Sequence, residues 1–305
     1  MKMPLLMRMH RDFPPNAKIK QIGISCSHRK YFVSFSVEYE QDRTTIKNPK
    51  DCVGIDLNVL DIACSCGVNN PEKLTDFKHY LLDMEELLGI KLDAKTHATQ
   101  LIPTYSKLHS LKKYSKKSKR LQRKQSCRVL KSKLNKTKLG GNFYQTQKRL
   151  NQAFDKSSHQ KTDRYHKITS ELSKQFELIA VEDLQVKNMT KRAKLKNVKQ
   201  KSGLNQSILN ASFYQIIFFL DYKQQHNGKL LVKVPPQYTS KTYYNCNCGS
   251  INPKLKLNHR QYLCPDCGHK EHRDINATNN ILSKGLSLFR AGNVHADFKE
   301  QSLSC

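Results

Sequence analysis

The spacing of apolar and polar residues predicts β-strands in the first part of the chain. Residues 19–40 alternate apolar and polar positions on both sides of a turn-like segment at 27–30, which predicts a β-hairpin. A second strand pair is predicted at Cys52–Leu57 and 61–66. We expect the turn between those two strands to include Asn58, because asparagine tolerates a left-handed backbone.

Helical spacing follows in the middle of the chain. Apolar residues recur every three to four positions over 108–121 and over 150–176, with a glycine pair at 140–141 between them, which predicts a long helical hairpin. The further predicted elements are a buried strand at Leu178–Glu182, a loop at 187–201, a core helix at 204–225, a strand at Leu230–Val234 and a last helix at 275–282. Strands and helices are mixed throughout, which indicates an α/β fold.

The net charge narrows the choice of partner. The 305 residues include 54 Lys and Arg against 25 Asp and Glu, a formal charge of +29. That much like charge opposes compaction unless a polyanion offsets it. We expect no membrane association, because no apolar run approaches the roughly 20 residues that span a bilayer. No signal peptide and no basic amphipathic anchor is recognisable either. Nucleic acid is therefore the expected partner.

The positive charge is concentrated. Residues 101–150 contain sixteen Lys or Arg and no Asp or Glu. A solvated helix face is the usual explanation of a charge run. Soluble surfaces, however, normally carry both acidic and basic residues, so a surface that faces phosphates is favoured here. The predicted nucleic-acid-binding residues are Lys112, Lys113, Lys116, Lys117, Lys119, Arg120, Arg123, Lys124, Arg128, Lys191, Arg192 and Arg273.

Three acidic residues stand in unusual places. Asp56 lies inside an apolar strand, Glu182 ends another, and Asp274 opens the last helix. A carboxylate in a sheet centre costs several kcal/mol unless it is paired, hydrogen-bonded or metal-bound. Carboxylates gathered in this way suit Mg²⁺ or Mn²⁺. Two such ions about 4 Å apart can activate a water and stabilise the leaving oxygen of a phosphodiester.

Each acid also has a simpler explanation. Asp56 could be a turn residue, Glu182 an exposed strand end, and Asp274 the N-cap of its helix. The combination of two strand acids with a helix acid favours the metal site. Asp61 and Asp183 are the nearest rivals, but Asp183 should face away from Glu182, because adjacent strand residues point to opposite sides.

Four of the ten cysteines are clustered. A Cys-x-x-Cys pair at 264–267 places two thiolates on one tetrahedral zinc ion. The predicted zinc ligands are Cys246, Cys248, Cys264 and Cys267, with His259 or His269 as possible replacements. This zinc would be structural, since four protein ligands leave no open position. The alternative is a segment with free thiols.

The other six cysteines are scattered. We expect them to be buried free thiols in a reducing cytosol. They are Cys26, Cys52, Cys64, Cys66, Cys127 and Cys305.

Several segments together resemble the TnpB (OrfB) family encoded by insertion sequences. Val-Gly-Ile-Asp-Leu at 53–57, Ala-Val-Glu-Asp-Leu at 180–184 and Arg-Asp-Ile-Asn-Ala at 273–277 resemble its three RuvC motifs, and 238–242 resembles the segment before its zinc finger. The resemblance runs from about residue 17 to 285. It implies Asp56, Glu182 and Asp274 as catalytic acids, and DNA cleavage directed by an RNA transcribed from the transposon end.

The resemblance also implies a domain organisation. The expected fold is an α/β RNase H-like (RuvC) nuclease core with a basic helical-hairpin insertion at about 103–175 and a zinc-ribbon insertion. The expected regions are a partial, wedge-like β-barrel unit at 1–48, the core at 49–239, the zinc ribbon at 240–270, and the end of the core with a tail at 271–305. Family members usually carry additional N-terminal sequence, so we expect either a truncated copy or a start placed too far downstream. Asn58 stands where the family usually has Gly, and Cys-x-Cys at 246–248 where it has Cys-x-x-Cys.

The expected function is that of a transposon-encoded, RNA-guided DNA endonuclease using Mg²⁺ (or Mn²⁺), with a structural Zn²⁺. Its expected partners are DNA and the guide RNA, and its expected location is the cytoplasm of a prokaryote, at the nucleoid. The alternative is a catalytically impaired, truncated relative that only binds DNA or RNA. A third possibility is a fragment that does not fold stably alone.

Overall fold

A computed structural model describes residues 7–9, 12–27, 30–40, 46–59, 61–65, 101–103, 109–192, 197–244, 251–252, 255, 259, 261–268 and 270–292. The chain separates into two compact units, Met1–Thr45 with His295–Cys305, and Ile46–Val294. In the first unit, β1 (Lys18–Ser27) pairs with β2 (Lys30–Glu38) in an antiparallel hairpin. The predicted hairpin is confirmed, while a partial barrel stays a prediction.

The second unit is built on a five-stranded mixed sheet in the order β5-β4-β3-β6-β7. The β3–β4 and β4–β5 pairs are antiparallel, and the β3–β6 and β6–β7 pairs are parallel. The strands are β3 (Cys52–Leu57), β4 (Asp61–Ser65), β5 (Leu101–Pro103), β6 (Leu178–Glu182) and β7 (Leu230–Val234). The central strands β3 and β6 are apolar at nearly every position, as expected of strands that are covered on both faces.

Six helices lie within the part of the chain that the structure describes. They are α1 (His109–Leu134), α2 (Gly141–Gln175), α3 (Val186–Met189), α4 (Val198–Ala211), α5 (Phe213–His226) and α6 (Arg273–Arg290). The long helical hairpin is confirmed as α1 and α2. The last helix is longer than predicted, because it continues to Arg290 while Leu286, Leu288 and Phe289 pack against the core.

Two of the predicted elements were wrong. The single helix expected at 204–225 is two helices, because Ser212 between them has a left-handed backbone with φ 51°. The loop expected at 187–201 contains α3 and the start of α4. Val186 and Met189 of α3 pack against the core, so two apolar contacts suffice for a short helix within a basic stretch.

The first face of the sheet is covered by α2, α4 and α5. Alternate residues of β3 and β6 point to this face, and they pack against Tyr165, Ile168 and Leu172 of α2 and against Ile216 and Leu220 of α5. The strand residues in this core are Val53, Ile55, Leu57, Ile179 and Val181. This face thus forms a continuous apolar core, and charged groups are directed to the other face.

The second face is covered by α6, which lies unusually close to the sheet. A Cβ atom added at Gly54 of β3 would lie 2.2 Å from the carbonyl oxygen of Thr278, and one at Gly285 would lie 2.6 Å from the Cβ of Ala180. Both positions therefore require glycine, so that backbone can approach backbone. Because Thr278 crosses β3, Asp274, one turn earlier in α6, lies toward the C-terminal end of that strand.

A small hairpin precedes α6. Strand β8 (Gln261–Leu263) pairs antiparallel with β9 (Lys270–His272). Tyr243 stacks on Tyr262 beside it, with ring centroids 5.7 Å apart. None of the helices that the structure describes is long and apolar enough to cross a membrane.

Candidate functional site

The sheet register places Asp56 and Glu182 side by side. Gly54 is paired with Ala180 and Ile55 with Val181, so Asp56 and Glu182 follow at the next step of two parallel neighbouring strands. Side chains alternate between faces, which directs both carboxyls to the face covered by α6. Asp56 is only 9% exposed, although it is an acid in the middle of a sheet.

The charge environment of Asp56 shows that Asp274 belongs to the same group. Burial, together with the charges of Glu182 and Asp274, raises the pKa of Asp56 to about 8, although a hydrogen bond from Asn58 and the charge of Arg273 act in the opposite direction. Asp274 is itself buried, at 6% exposure. Glu182 and Asp274, both distant from Asp56 in sequence, are therefore within electrostatic reach of it, and their like charges repel that of Asp56.

Glu182 has two partners that stabilise its ionised form. Burial raises the pKa of Glu182, and a hydrogen bond from the Thr239 hydroxyl and the charge of Lys284 lower it. Thr239 Oγ1 donates to Glu182 Oε1. The Lys284 ammonium donates to the carbonyl oxygen of Gln237 at 2.6 Å, which holds it near this carboxylate.

The simpler explanations of two acids do not hold. Asp56 lies within β3 and not in a turn. The N-cap of α6 is His272, so Asp274 is not the cap of its helix. Asp183, the rival acid, is exposed and accepts a hydrogen bond of 3.3 Å from Gln185, as expected for a residue that faces away from Glu182.

The sequence missed the partners of the acids. Asn58 is not in the left-handed region, so its predicted backbone role was wrong. The side chain of Asn58 instead contacts the acid, because its Nδ2 donates a hydrogen bond to Asp56 Oδ2 at 3.0 Å. Thr239 and Lys284 were also missed, although the resemblance of 238–242 to a family segment was a signal for the first. Leu60, also in the predicted turn, lies outside the described residues.

The donor set suits a hard divalent cation. The three side chains provide only carboxylate oxygens, and their mutual repulsion would be relieved by a bound Mg²⁺ or Mn²⁺. As the side chains stand, no group of three or more His, Cys, Asp or Glu residues is arranged to hold a metal within the described residues.

The cysteine knuckle is described only in part. Cys264 is buried and Cys267 is exposed, and Gly268 has φ +70°. A hydrogen bond from the Cys267 backbone lowers the pKa of the Cys264 thiol, as suits a thiolate ligand. The other predicted zinc ligands, Cys246 and Cys248, and the possible replacement His269 lie outside the described residues, so zinc binding stays a prediction.

The scattered cysteines differ from the expectation. Cys64 is buried in β4, but Cys26 and Cys127 are exposed. Burial of these two was predicted wrongly, because Cys26 lies on an exposed hairpin strand and Cys127 on the solvent side of α1. Cys66 and Cys305 lie outside the described residues.

Half of the predicted nucleic-acid-binding side chains form an exposed surface on α1. Arg128 differs, because its Nη1 donates to Asn142 and Thr146 of α2 and so fastens the helical hairpin. Arg273 lies near the acids, where its charge lowers the pKa of Asp56. The exposed residues of α1 are Lys116, Lys117, Lys119, Arg120, Arg123 and Lys124, and Lys191 and Arg192 are exposed after α3. The side chains of Lys112 and Lys113 lie outside the described residues.

Three similarities to known proteins bear on this chain. The family model "Cas12f1-like, TNB domain" matches residues 213–281. The Escherichia coli (strain K12) protein called "Putative RNA-guided DNA endonuclease InsQ" is 32% identical over 292 residues, which cover 94% of this chain and 61% of that protein. The Acanthamoeba polyphaga mimivirus protein called "TnpB-like protein L79" is 32% identical over 143 residues, 46% of this chain and 26% of that protein.

A solved structure is also similar. The cryo-EM structure of a Cas12f1–sgRNA–target DNA complex aligns with a TM-score of 0.44 and 16% identity, over 86% of this chain and 55% of that one. The match to the Escherichia coli relative covers nearly all of this chain, and the chain spans about 60% of the length of that relative. On the sequence similarities and the motifs they cover, the chain belongs to the TnpB family.

Proposed function

We propose that this protein is a metal-dependent DNA endonuclease of the TnpB type. Its catalytic acids would be Asp56, Glu182 and Asp274, which would hold Mg²⁺ (or Mn²⁺). The observation that carries the proposal is the burial of Asp56 beside two further acids that raise its pKa. A buried cluster of like charges is unfavourable without a cation, so it is retained for function more readily than for stability.

The fold supports an RNase H-like core. The order β5-β4-β3-β6-β7, with antiparallel strands on one side of β3 and parallel strands on the other, is the arrangement of that nuclease fold. This order places Asp56 of β3 next to Glu182 of β6, and α6, which covers this face of the sheet, carries Asp274. These are the positions that the motif resemblance assigns to the catalytic acids.

The residues around the acids would prepare them for this role. The bound metal would activate a water and stabilise the leaving oxygen of the phosphodiester. Asn58 and Thr239 would orient the carboxylates of Asp56 and Glu182 through their hydrogen bonds. Arg273 would keep Asp56 ionised more readily, because its charge lowers the pKa of that carboxyl.

The proposed partners are DNA and a guide RNA transcribed from the transposon end. The name of the Escherichia coli relative supports an RNA-guided reaction on DNA. The exposed Lys and Arg side chains of α1 provide a surface for phosphates, and such contacts are sequence-independent. The knuckle at 264–267 would bind zinc and stiffen the segment before α6.

Binding without cleavage is the second candidate function. The irregular finger favours it, because Cys-x-Cys stands at 246–248 where the family has Cys-x-x-Cys. Retention of the buried acids Asp56 and Asp274 beside the half-buried Glu182 argues against it, because a protein that only binds nucleic acid would gain stability by replacing them.

A cleavage experiment separates the two. The full chain is expressed together with the DNA that flanks its gene, so that RNA from the element end is made. The purified complex is mixed with a plasmid library that carries the matching target beside randomised bases, in Mg²⁺ or in EDTA. We expect cleavage in Mg²⁺ only, and loss of cleavage with retained DNA binding in Asp56→Asn.

The matched control is Asp183→Asn, which changes the exposed neighbouring acid and should cleave like the wild type. Binding of the target without cleavage in either Mg²⁺ or Mn²⁺ would leave only the second candidate. Cleavage that persists in Asp56→Asn would remove the assignment of the catalytic acids.

A further inference from the structure

We propose that Thr239 is a positioning residue for Glu182, and that α6 holds Thr239 in place through Asn276 and Asn280. The inference rests on the proposed function, because it assigns a role toward the same metal site. It adds that the Glu182 carboxylate is oriented by hydrogen bonds that connect it, through Thr239, to the helix that carries Asp274.

The contact between Thr239 and Glu182 is direct and buried. Thr239 is 3% exposed, and its hydroxyl lies both against Glu182 Oε1 and 3.1 Å from the carbonyl oxygen of Pro236. A hydroxyl has a single proton to donate. An ionised carboxylate is the stronger acceptor of the two, so the proton is directed to Glu182 and fixes one of its oxygens.

Tyr238, the residue before Thr239, has a strained backbone, and the side chain of Thr239 that follows it is buried. Tyr238 has φ +62°, a conformation that non-glycine residues seldom adopt, and its ring remains exposed. Its carbonyl oxygen accepts hydrogen bonds of 3.1 Å from the amides of Lys241 and Thr242. Strain of this kind persists where the surroundings hold it, and it is frequent at functional sites.

Two asparagines of α6 provide that hold. Asn280 Nδ2 donates to the carbonyl oxygens of Thr239 at 2.8 Å and of Thr242 at 2.6 Å. Asn276 Nδ2 donates to the carbonyl oxygen of Thr242 at 2.7 Å, and its Oδ1 accepts the amide of Tyr244 at 3.3 Å. Both asparagines are buried, and their spacing of four places them on one side of the helix.

The consequence is a closed chain of contacts. Asp274 lies two residues before Asn276 on α6, the asparagines fix the loop that contains Thr239, and Thr239 contacts Glu182. Sheet register places Glu182 beside Asp56, and the close approach of Gly285 to Ala180 sets the distance between α6 and β6. The asparagine clamp, defined as Asn276 and Asn280, adds the contact through Thr239 that orients the Glu182 carboxylate.

The test compares Thr239→Val, which keeps the shape but removes the hydroxyl, with Thr239→Ser, which keeps the hydroxyl. Mn²⁺ binding to the full chain without nucleic acid is measured by calorimetry. Groups that orient a metal ligand typically contribute about 10- to 100-fold to metal affinity, so we expect a weakening of about that size in Thr239→Val. Thr239→Ser should bind within about threefold of the wild type on the same scale.

A second variant separates positioning from general instability. Asn280→Ala leaves the hydroxyl in place but loosens the loop, and it should weaken Mn²⁺ binding in the same direction. If both residues act through Glu182, the double variant Thr239→Val/Asn280→Ala should lose less affinity than the product of the two single losses. Target DNA affinity should be unchanged, and cleavage should fall in kcat and not in KM.

The outcomes are distinct. Wild-type affinity for Mn²⁺ in Thr239→Val, failure of Thr239→Ser to restore binding, or independent losses in the double variant each overturn the positioning role and leave the nuclease proposal standing. A wild-type protein that neither binds Mn²⁺ nor cleaves the target overturns both.

Discussion

The side-chain amide of Asn58 donates a 3.0 Å hydrogen bond to Oδ2 of Asp56. The two residues are separated by one position, at the point where β3 ends and the chain turns. The bond lowers the pKa of a carboxyl that burial and neighbouring charges raise. Asn58, which stands where the family usually has glycine, thus contacts the carboxylate centre, the group formed by Asp56, Glu182 and Asp274.

Replacement of Asn58 should disturb Asp56 more than the fold. In Asn58→Ala the pKa of Asp56 in the metal-free protein should rise further, because a hydrogen bond to the ionised form is lost. The titration of the Asp56 carboxyl can be followed by carbon-13 NMR after assignment with Asp56→Asn. Asn188→Ala, at an exposed asparagine of α3, is the control. An unchanged titration in Asn58→Ala would contradict the role of this hydrogen bond.

Stability without metal should depend on pH through Asp56. The pKa of Asp56, about 8 in the folded protein, lies above the ordinary aspartate value of 3.8, so between these pH values the folded state binds more protons than the unfolded state. Stability should therefore fall as pH rises from about 4 to about 8. The penalty is absent below this window, where Asp56 is protonated in both states, and it is largest above it.

Asp56→Asn should remove this dependence. In EDTA the variant should exceed the wild type in free energy of unfolding at pH 8, by on the order of a few kcal/mol, with a smaller difference at pH 5. Urea unfolding at the two pH values measures it. Added Mn²⁺ should stabilise the wild type at pH 8 but not the variant. A variant that is less stable at pH 8 would contradict the repulsion inferred for the carboxylate centre.

The close approach of α6 should make Gly54 intolerant of any side chain. In Gly54→Ala the new Cβ would overlap the carbonyl oxygen of Thr278, so the helix must shift. We expect a loss of about 1–3 kcal/mol in stability, with loss of cleavage because Asp274 moves with α6. Thermal unfolding measures the first effect.

Gly203→Ala is the matched control. Gly203 lies within α4 with nothing within 4 Å of an added Cβ, so alanine there should be stabilising by about 0.5–1 kcal/mol. Equal melting temperatures for the two alanine variants would show that the contact at Gly54 is not tight.

The exposed basic surface of α1 should dominate salt-dependent binding. Lys117, Arg120 and Lys124 share one side of the helix by their spacing. Replacing all three by Gln should lower the slope of log affinity against log salt by about 2–3, because each phosphate contact contributes roughly 0.7–0.9. Binding to a duplex oligonucleotide is measured by fluorescence anisotropy between low and moderate salt. Lys174→Gln, an exposed lysine at the end of α2, should leave the slope unchanged.

The elements that were predicted correctly have strong local signals. The strands at Cys52–Leu57 and Leu178–Glu182 are apolar because both faces are covered, and the helical hairpin has apolar residues at helical spacing. The break at Ser212 was missed because serine has no strong preference for a left-handed backbone, and tertiary packing imposes it. The helix α3 was missed because only two of its residues contact the core.

The three acids, and the type of element that carries each, could be predicted from the sequence alone. An acid within an apolar segment is visible without coordinates, because burial of a charge is unfavourable wherever the chain folds. The concentration of positive charge in 101–150 is likewise visible in the sequence. Local pattern and composition are sufficient for such conclusions.

The side chains that surround those acids could not be predicted in this way, because they are brought there by tertiary packing. The hydrogen bond of Asn58 to Asp56 depends on the rotamer of the asparagine side chain. Thr239 and Lys284 are distant from Glu182 in sequence, and they reach it because the strands and the helix pack together. Spacing along a chain does not encode such contacts. Hydrogen bonds depend on distances of about 3 Å and on direction, which only the packed arrangement of α6 on the sheet provides.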